Sequence, residues 1–329
     1  MKTEIVLEVK ILVKYFPVMK KGIILSKRIG WVHAVDDISF TVKKNETVGL
    51  VGESGCGKTT TARCILNLIT PTAGELYFKG KNITKIFKSK KDKKRILELR
   101  RKMQYIFQDP WASLNPRWKI SDTLLEGIAF HKIFPKEEYP KKLHELLNLV
   151  GLNAYHAYRY PHEFSGGQRQ RIVVARAISL QPEFLIADEP VAMVDVSVRA
   201  QILNLLKDLQ KKLHVSYLYI SHDLASVKHI CHRVLVMYVG KLVEIANTDE
   251  LFSNQTHPYT QALLSAIPVP DPTRQRKIVV LKGEVPSPID PPKGCRFHMR
   301  CSYATSICKK TEPKLREIRQ DHFVACYHA

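Results

Sequence analysis

Two stretches of this sequence carry residue types at spacings that suit phosphate chemistry. A short run rich in β-branched residues, 47–51, leads into Gly52-Glu53-Ser54-Gly55-Cys56-Gly57-Lys58-Thr59-Thr60, and a helical pattern follows through Leu68. Strand, Gly-rich loop and helix in that order are the setting in which a G-x-x-x-x-G-K-[ST] match becomes believable. Its glycines let consecutive backbone N–H groups turn inward on phosphate oxygens, and the positive end of the helix dipole faces the same charge. Lys58 is placed to neutralise β- and γ-phosphates, and the Thr59 hydroxyl suits Mg²⁺, a hard cation that prefers oxygen. The second stretch, Phe184-Leu185-Ile186-Ala187-Asp188-Glu189, sets two acids at the C-terminal end of a buried-type strand, the edge where ligands of open α/β sheets collect. Adjacent carboxylates can divide labour: Asp188 would face Mg²⁺ through water, and Glu189 would orient or deprotonate the water that attacks the γ-phosphate. A strand-end Asp-Glu on its own also fits a helix cap; the phosphate loop upstream favours the catalytic reading.

The elements that must position these groups follow from pattern. Residues 5–13 alternate as a half-buried strand, 20–28 are basic and aperiodic as an exposed loop, and 37–42 return to strand. Residues 85–102 are charge-dense and read as solvated loop and helix, and 121–180 are mostly helical, with Leu143, Leu146, Leu147 and Val150 at helical spacing. A strand at 184–187, an amphipathic helix at 197–212 and a strand at 215–220 imply a parallel sheet covered on both faces. Beyond Ala266, seven of the 18 prolines fall between Pro268 and Pro292, which marks an extended connector.

The chain has 329 residues, about two domains' worth. Its 45% hydrophobic and 25% charged residues exclude a wholly disordered or collagen-like chain. Fifty-two Lys and Arg against 31 Asp and Glu give +21, which favours phosphorylated ligands, anionic lipid or nucleic acid without choosing among them. No apolar run approaches a membrane span, and 1–10 lack a signal-peptide pattern, so a cytosolic chain is expected. The last 35 residues, 295–329, hold four of the seven cysteines and too few apolar residues for a core of their own. Cys295, Cys301, Cys308 and Cys326 are separated by five, six and 17 residues. In a cytosolic chain such thiols suit tetrahedral zinc or an iron–sulfur cluster, and spacing leaves both open. Cys56, Cys64 and Cys231 read as small buried residues, although Cys56 would make the loop oxidation-sensitive.

A third motif, Phe164-Ser165-Gly166-Gly167-Gln168-Arg169-Gln170-Arg171, resembles the signature of ABC-type ATPases, although Ser165 to Gln168 alone would also fit a polar turn that caps a helix starting near Arg169. The resemblance implies a P-loop NTPase α/β core with an antiparallel β subdomain and a helical subdomain, plus a small irregular C-terminal domain clipped by metal. It implies that Ser165, Gly166, Gly167 and Gln168 bind the γ-phosphate of ATP held by an opposite subunit, so that two sites form only in a head-to-tail dimer. Gln108, in Ile106-Phe107-Gln108-Asp109-Pro110, is similar to the glutamine that joins Mg²⁺ and attacking water to the helical subdomain. His222 is similar to the switch histidine that reaches the γ-phosphate, and Asp195 to the aspartate that crosses the dimer interface. Tyr15 is the choice for stacking on adenine ahead of Phe16 and Trp31. Mg²⁺ would be held by Thr59, Gln108 and Asp188. One departure is Ala192-Met193-Val194 where the family usually shows Ser-Ala-Leu before the aspartate; the missing hydroxyl would remove a polar contact across the seam worth ~1 kcal/mol if buried.

Four further segments narrow the resemblance to the ATP-binding subunits of oligopeptide and dipeptide importers. They are Val35-Asp36-Asp37-Ile38-Ser39-Phe40, Asp109-Pro110-Trp111-Ala112-Ser113-Leu114-Asn115-Pro116-Arg117, Tyr160-Pro161-His162-Glu163-Phe164 and His257-Pro258-Tyr259-Thr260. The family reading divides the chain into a nucleotide-binding domain, 1–266, with its helical subdomain at about 115–182, and a linker plus C-terminal domain, 267–329. It also implies a coupling helix of a permease docking on 108–117, two permease subunits, a sister or identical ATPase, an extracytoplasmic solute-binding protein and a place on the cytoplasmic face of the membrane. The tail resembles importer tails that carry a four-cysteine [4Fe–4S] site, which favours the cluster over zinc. A soluble ABC ATPase acting on nucleic acid or the ribosome is the rival class, but it usually has coiled-coil arms or fused cassettes that this sequence lacks, so no nucleic-acid partner is expected. Related importers handle nickel or sugars.

Overall fold

The computed structural model describes residues 4–20, 27–89, 91–267, 279, 281 and 283–329. The strands are β1 (Ile5–Lys20), β2 (Lys27–Lys43), β3 (Thr47–Val51), β4 (Ala73–Phe78), β5 (Lys81–Asn82) and β6 (Met103–Ile106). They continue with β7 (Phe184–Asp188), β8 (Ser216–Ser221), β9 (Arg233–Tyr238), β10 (Lys241–Asn247), β11 (Arg316–Arg319) and β12 (His322–Val324). The helices are α1 (Lys58–Ile65), α2 (Ile83–Lys88), α3 (Lys93–Lys102), α4 (Pro110–Ser113), α5 (Ile120–His131) and α6 (Tyr139–Leu149). They continue with α7 (Gly166–Ile178), α8 (Val196–Leu213), α9 (Leu224–Ile230), α10 (Thr248–Ser253), α11 (Pro258–Ser265) and α12 (Ser306–Lys310).

The described chain forms two compact units. The first is built from Met1–Leu7, Val42–Thr47 and Phe78–Ile220. In it β6, β7 and β8 lie side by side in parallel, Ile106 opposite Ala187 and Asp188 opposite Ile220. Phe184 to Ala187 of β7 are buried, as an apolar run covered on both faces should be, and Asp188 at the strand's end is buried with them. Helix α8 turns Ile202, Leu206 and Leu209 inward at i, i+4, i+7 spacing, and α7 buries Ile172 to Ala175. Each such fully buried Leu or Ile contributes roughly 1.5–3 kcal/mol. The basic stretch around α3 is solvated as expected: Arg95 pairs with Asp92 at 3.2 Å, and Lys102 with Glu98 at 3.2 Å and Glu183 at 3.1 Å.

The second unit comprises Glu8–Thr41, Val48–Tyr77 and Ser221–Ala329. One sheet runs β2, β1, β4; the other runs β11, β12, β10, β9, β3. The parallel pairing read from 184–220 holds in the first unit, whereas here the pairing is mixed: β3 pairs parallel with β9, but β9–β10, β10–β12 and β12–β11 are antiparallel. The cause is a two-residue turn, Val239-Gly240, that folds β10 straight back on β9. Strand β2 also begins at Lys27, inside the stretch read as a loop; 21–26 of that stretch, Lys90 and the connector prolines Pro268, Pro270 and Pro272 lie outside the described residues. Boundaries elsewhere moved by a few residues: α1 ends at Ile65 rather than Leu68.

The tail is held by the sheet and by buried polar contacts. Strand β12 extends β10, with Glu244 opposite Val324. Glu244 and His322 are both wholly buried and meet at 2.8 Å, and Glu244 also accepts the N–H groups of Thr256 and His257. All seven cysteines are free thiols, and among the described residues no group of three or more His, Cys, Asp or Glu is arranged to hold an ion.

Candidate functional site

In the second unit the loop after β3 turns into α1 through Gly57, which caps the helix at φ 113°. A Cβ there would lie 2.1 Å from the Ala34 carbonyl oxygen, and one on Gly52 would lie 2.1 Å from that of Met237, so only glycine fits either place. Lys58 is buried and folds back on its own loop, donating to the Gly52 carbonyl at 2.7 Å and the Glu53 carbonyl at 3.0 Å. The loop thus carries its cation inside a ring of backbone. Ser54 and Gly55 are exposed at its tip, and Thr59 and Thr60 are half-buried. Cys56 is buried, and burial raises its thiol pKa despite the adjacent Lys58 ammonium. A protonated, covered thiol is a poor target for oxidation, which weighs against the expected sensitivity.

Tyr15 lies in the same unit on β1. Its ring packs on His33 with centroids 4.0 Å apart, and its hydroxyl donates to Asp36 at 2.6 Å. Burial and that bond raise its pKa. Phe16 and Trp31, the weaker choices, lie under Lys14 and Arg28 respectively. His222 is exposed in the short connection between β8 and α9.

The first unit brings a separate set together. Gln108 follows β6, and its Nε2 donates to Glu189 Oε2 at 3.2 Å. Glu189 takes φ 48°, a left-handed conformation costly for a residue with a side chain, while its N–H bonds the Ile220 carbonyl at 2.8 Å. Asp188 is buried at the end of β7 and accepts a 2.5 Å bond from the Tyr105 hydroxyl. Tyr105 was not singled out from sequence; its position opposite Ile186 in the β6–β7 register was the only signal, and it required the pairing to be known. Ser165 caps α7, which starts at Gly166 rather than near Arg169: Ser165 Oγ accepts the Gln168 N–H and Gln168 Oε1 accepts the Ser165 N–H. Reciprocal capping of this kind is worth ~1 kcal/mol and fixes the turn that presents the two glycines. A Cβ on Gly167 would lie 2.5 Å from Val198. Arg169 lies 3.4 Å over the Trp111 ring, so the exposed loop beginning at Gln108 is tied to the first turn of α7. Asp195 sits at the N-terminus of α8, flanked by the exposed apolar side chains of Met193 and Val196.

The oxygen donors of Thr59, Gln108 and Asp188 are of the kind Mg²⁺ takes. The four tail cysteines are chemically apt ligands. Cys295, Cys301 and Cys326 each accept a backbone N–H from two residues ahead, from Phe297, Tyr303 and His328. Burial pushes the Cys295 thiol up to about 11, and the other three thiols add to the rise. Their donor chemistry fits zinc or a cluster, but their arrangement as it stands is not a ligand set.

Comparison with known proteins decides the family. Residues 35–192 match the family model described as ABC transporter, and 243–308 match the one described as Oligopeptide/dipeptide transporter, C-terminal region. The oligopeptide transport ATP-binding protein AppF of Bacillus subtilis (strain 168) is 49% identical over 329 residues, covering 98% of this chain and 97% of its own length. The chain belongs to the ABC transporter ATP-binding family. OppF of the same organism, also named an oligopeptide transport ATP-binding protein, is 48% identical over 331 residues, covering 99% of this chain and 98% of its own. A putative peptide import ATP-binding protein of Brucella ovis is 50% identical over 292 residues, covering 89% of this chain and 90% of its own. Among solved structures, the cassette MJ0796, a dimer in a post-hydrolysis state bound to ADP and Pi, superposes with a TM-score of 0.62 at 25% identity, covering 74% of this chain and 98% of that one. The cbiO1 protein of Clostridium perfringens, part of the transporter complex cbiONQ, gives 0.62 at 25% identity, covering 77% and 92%. The fold is therefore that of an ABC ATPase, and no helix among the described residues is long and apolar enough to cross a membrane.

Proposed function

We propose that this chain is the ATP-hydrolysing subunit that energises an ABC importer of di- and oligopeptides. The observation that carries the reading is the near full-length similarity to oligopeptide transport ATP-binding proteins, joined to the match of 243–308 to the C-terminal region of that transporter family. Lys58 and the amides of Gly52 to Thr60 hold the phosphates of ATP, Tyr15 stacks on adenine, and Thr59, Gln108 and Asp188 hold Mg²⁺. When bound, that ion neutralises charge on the phosphates. Glu189, held by the Gln108 amide, orients and deprotonates the attacking water, and His222 contacts the γ-phosphate. Ser165, Gly166, Gly167 and Gln168 act on the nucleotide of a second subunit, identical or a sister, with Asp195 at the seam. The exposed Met193 and Val196 beside Asp195 support an interface there.

The same reading assigns 1–266 to the nucleotide-binding domain, with its helical subdomain at about 115–182, and 267–329 to the linker and C-terminal domain. The loop from Gln108 to Arg117 receives the coupling helix of one of two permease subunits, which places the protein peripherally on the cytoplasmic face of the membrane. An extracytoplasmic solute-binding protein delivers cargo and no nucleic acid takes part. Cys295, Cys301, Cys308 and Cys326 take a [4Fe–4S] cluster, with zinc the alternative, supported by their donor type and by the N–H bonds to three of the sulfurs. Reconstitution in vesicles with two permeases, a partner ATPase and the solute receptor tests the assignment. Peptide should stimulate ATP hydrolysis; stimulation by nickel or a sugar alone would replace it.

A further inference from the structure

Glu53 is the second residue of a loop whose task, on the reading above, is to bring N–H groups to a polyanion. A carboxylate there opposes that task, because like charges a few ångströms apart disfavour one another. The second unit restrains every polar group of this residue. Its N–H donates to the Tyr259 hydroxyl at 2.8 Å, its carbonyl accepts from Lys58 at 3.0 Å, and its carboxylate accepts from Arg300 Nη1 at 2.9 Å. Arg300 is only 9% exposed, and its Nη1 is also 3.5 Å from the Tyr238 hydroxyl. A guanidinium shielded from water neutralises its partner more effectively than one on the surface.

The arginine is delivered by the tail. It follows Cys295 and precedes Cys301, 247 residues after Glu53 in the chain. Phe297 fixes the segment: it is buried against Tyr238 and Tyr259, with ring centroids 5.3 and 5.6 Å away. Arg296 adds a second anchor, donating to the Val239 carbonyl and to Asp36, the acid that also accepts the Tyr15 hydroxyl. Two consecutive tail arginines on one helical-turn spacing therefore touch the phosphate loop and the support of the aromatic assigned to adenine.

We propose that Arg300 is a positioning residue for the nucleotide loop, neutralising Glu53 so that the loop accepts a triphosphate. The proposal rests on the reading of Gly52 to Thr60 as the phosphate cradle. Its mark is a split between binding and turnover: Arg300 bonds Glu53 and the Tyr238 hydroxyl rather than any group assigned to the chemical step, so its loss should weaken ATP binding and leave that step alone.

The test measures Kd for ATP by titration and KM and kcat for hydrolysis in the full chain. Arg300→Gln should raise Kd and KM about tenfold with kcat within about twofold, and Arg300→Lys should fall between it and wild type. Combining Glu53→Gln with Arg300→Gln should return Kd to within about twofold of wild type, because the bare carboxylate is gone. An unchanged Kd in Arg300→Gln overturns the proposal, as does a loss that Glu53→Gln fails to relieve, which would mean a collapsed tail. Should Arg300→Gln not fold, Arg300→Lys decides: a raised KM with unaltered kcat supports the proposal, and an unaltered KM overturns it. Lys58→Ala in the same titration separates the two levels of argument. Wild-type affinity there would remove the cradle reading itself, whereas lost affinity there with wild-type affinity in Arg300→Gln would remove only the role of Arg300.

Discussion

The side-chain amide of Gln108 donates to the carboxylate of Glu189 at 3.2 Å, so the loop assigned to the permease is in hydrogen-bond contact with the group assigned to activate water. Glu189 is held there by a left-handed backbone and by its N–H bond to Ile220. On that assignment, movement of the loop would shift the carboxylate that activates water.

Glu189→Gln keeps the size of the side chain and its bond to Gln108 while removing the base. Hydrolysis should fall by about 10²–10⁴-fold with ATP affinity intact. An ATP-bound dimer should then accumulate, seen by light scattering after size exclusion. A variant that turns over at the wild-type rate would take Glu189 out of the mechanism.

Tyr105→Phe removes the hydroxyl that donates to buried Asp188 at 2.5 Å. The carboxylate would lose a charge-assisted bond, lowering folding stability by about 1–2 kcal/mol. Urea unfolding reads this directly, and an unshifted midpoint would show that the bond carries no weight.

His257 caps α11 by accepting the Tyr259 N–H through Nδ1 at 3.1 Å, and burial pushes its pKa from 6.5 down to about 3. The folded chain therefore holds the neutral ring where the unfolded chain would be protonated. The stability this contributes is fully present above pH 6.5 and is lost progressively as pH falls toward 3. His257→Asn keeps a capping side chain and should flatten that slope. Denaturant melts between pH 4 and pH 7, on the order of the shifted range, give the comparison.

Purification without air tests the tail cysteines. A brown protein with iron and sulfide, made colourless by Cys301→Ser, is expected. A colourless wild type with stoichiometric zinc would decide for the other metal.

Much of this molecule was legible where meaning lies in contiguous residues. Gly52 to Thr60, the Asp188-Glu189 pair and the Ser165 turn each carry their geometry in neighbours along the chain, and all three lie in the local settings their spacing implied. An antiparallel subdomain was expected from the family resemblance, but the turn that folds β10 back on β9 was not legible in the pattern, for a local reason. Val239 adopts φ 39° in the turn before β10, a conformation that β-branched residues rarely take, so no turn signal marked it. Arg300 and Glu53, or Arg296 and Asp36, are partners only once the sheet has brought them together, and neither residue type nor spacing announces a bond across 247 or 260 residues. Tyr105 was hidden in the same way, behind a strand register.

The closed-off meeting of Glu244 and His322 has a practical corollary for anyone engineering this chain. A version trimmed ahead of His322 would strip β12 from its neighbour and strand an acid in the interior, a defect of about 3–5 kcal/mol when one member of a buried pair is deleted. The strand His322–Val324 is thus a keystone rather than an appendix.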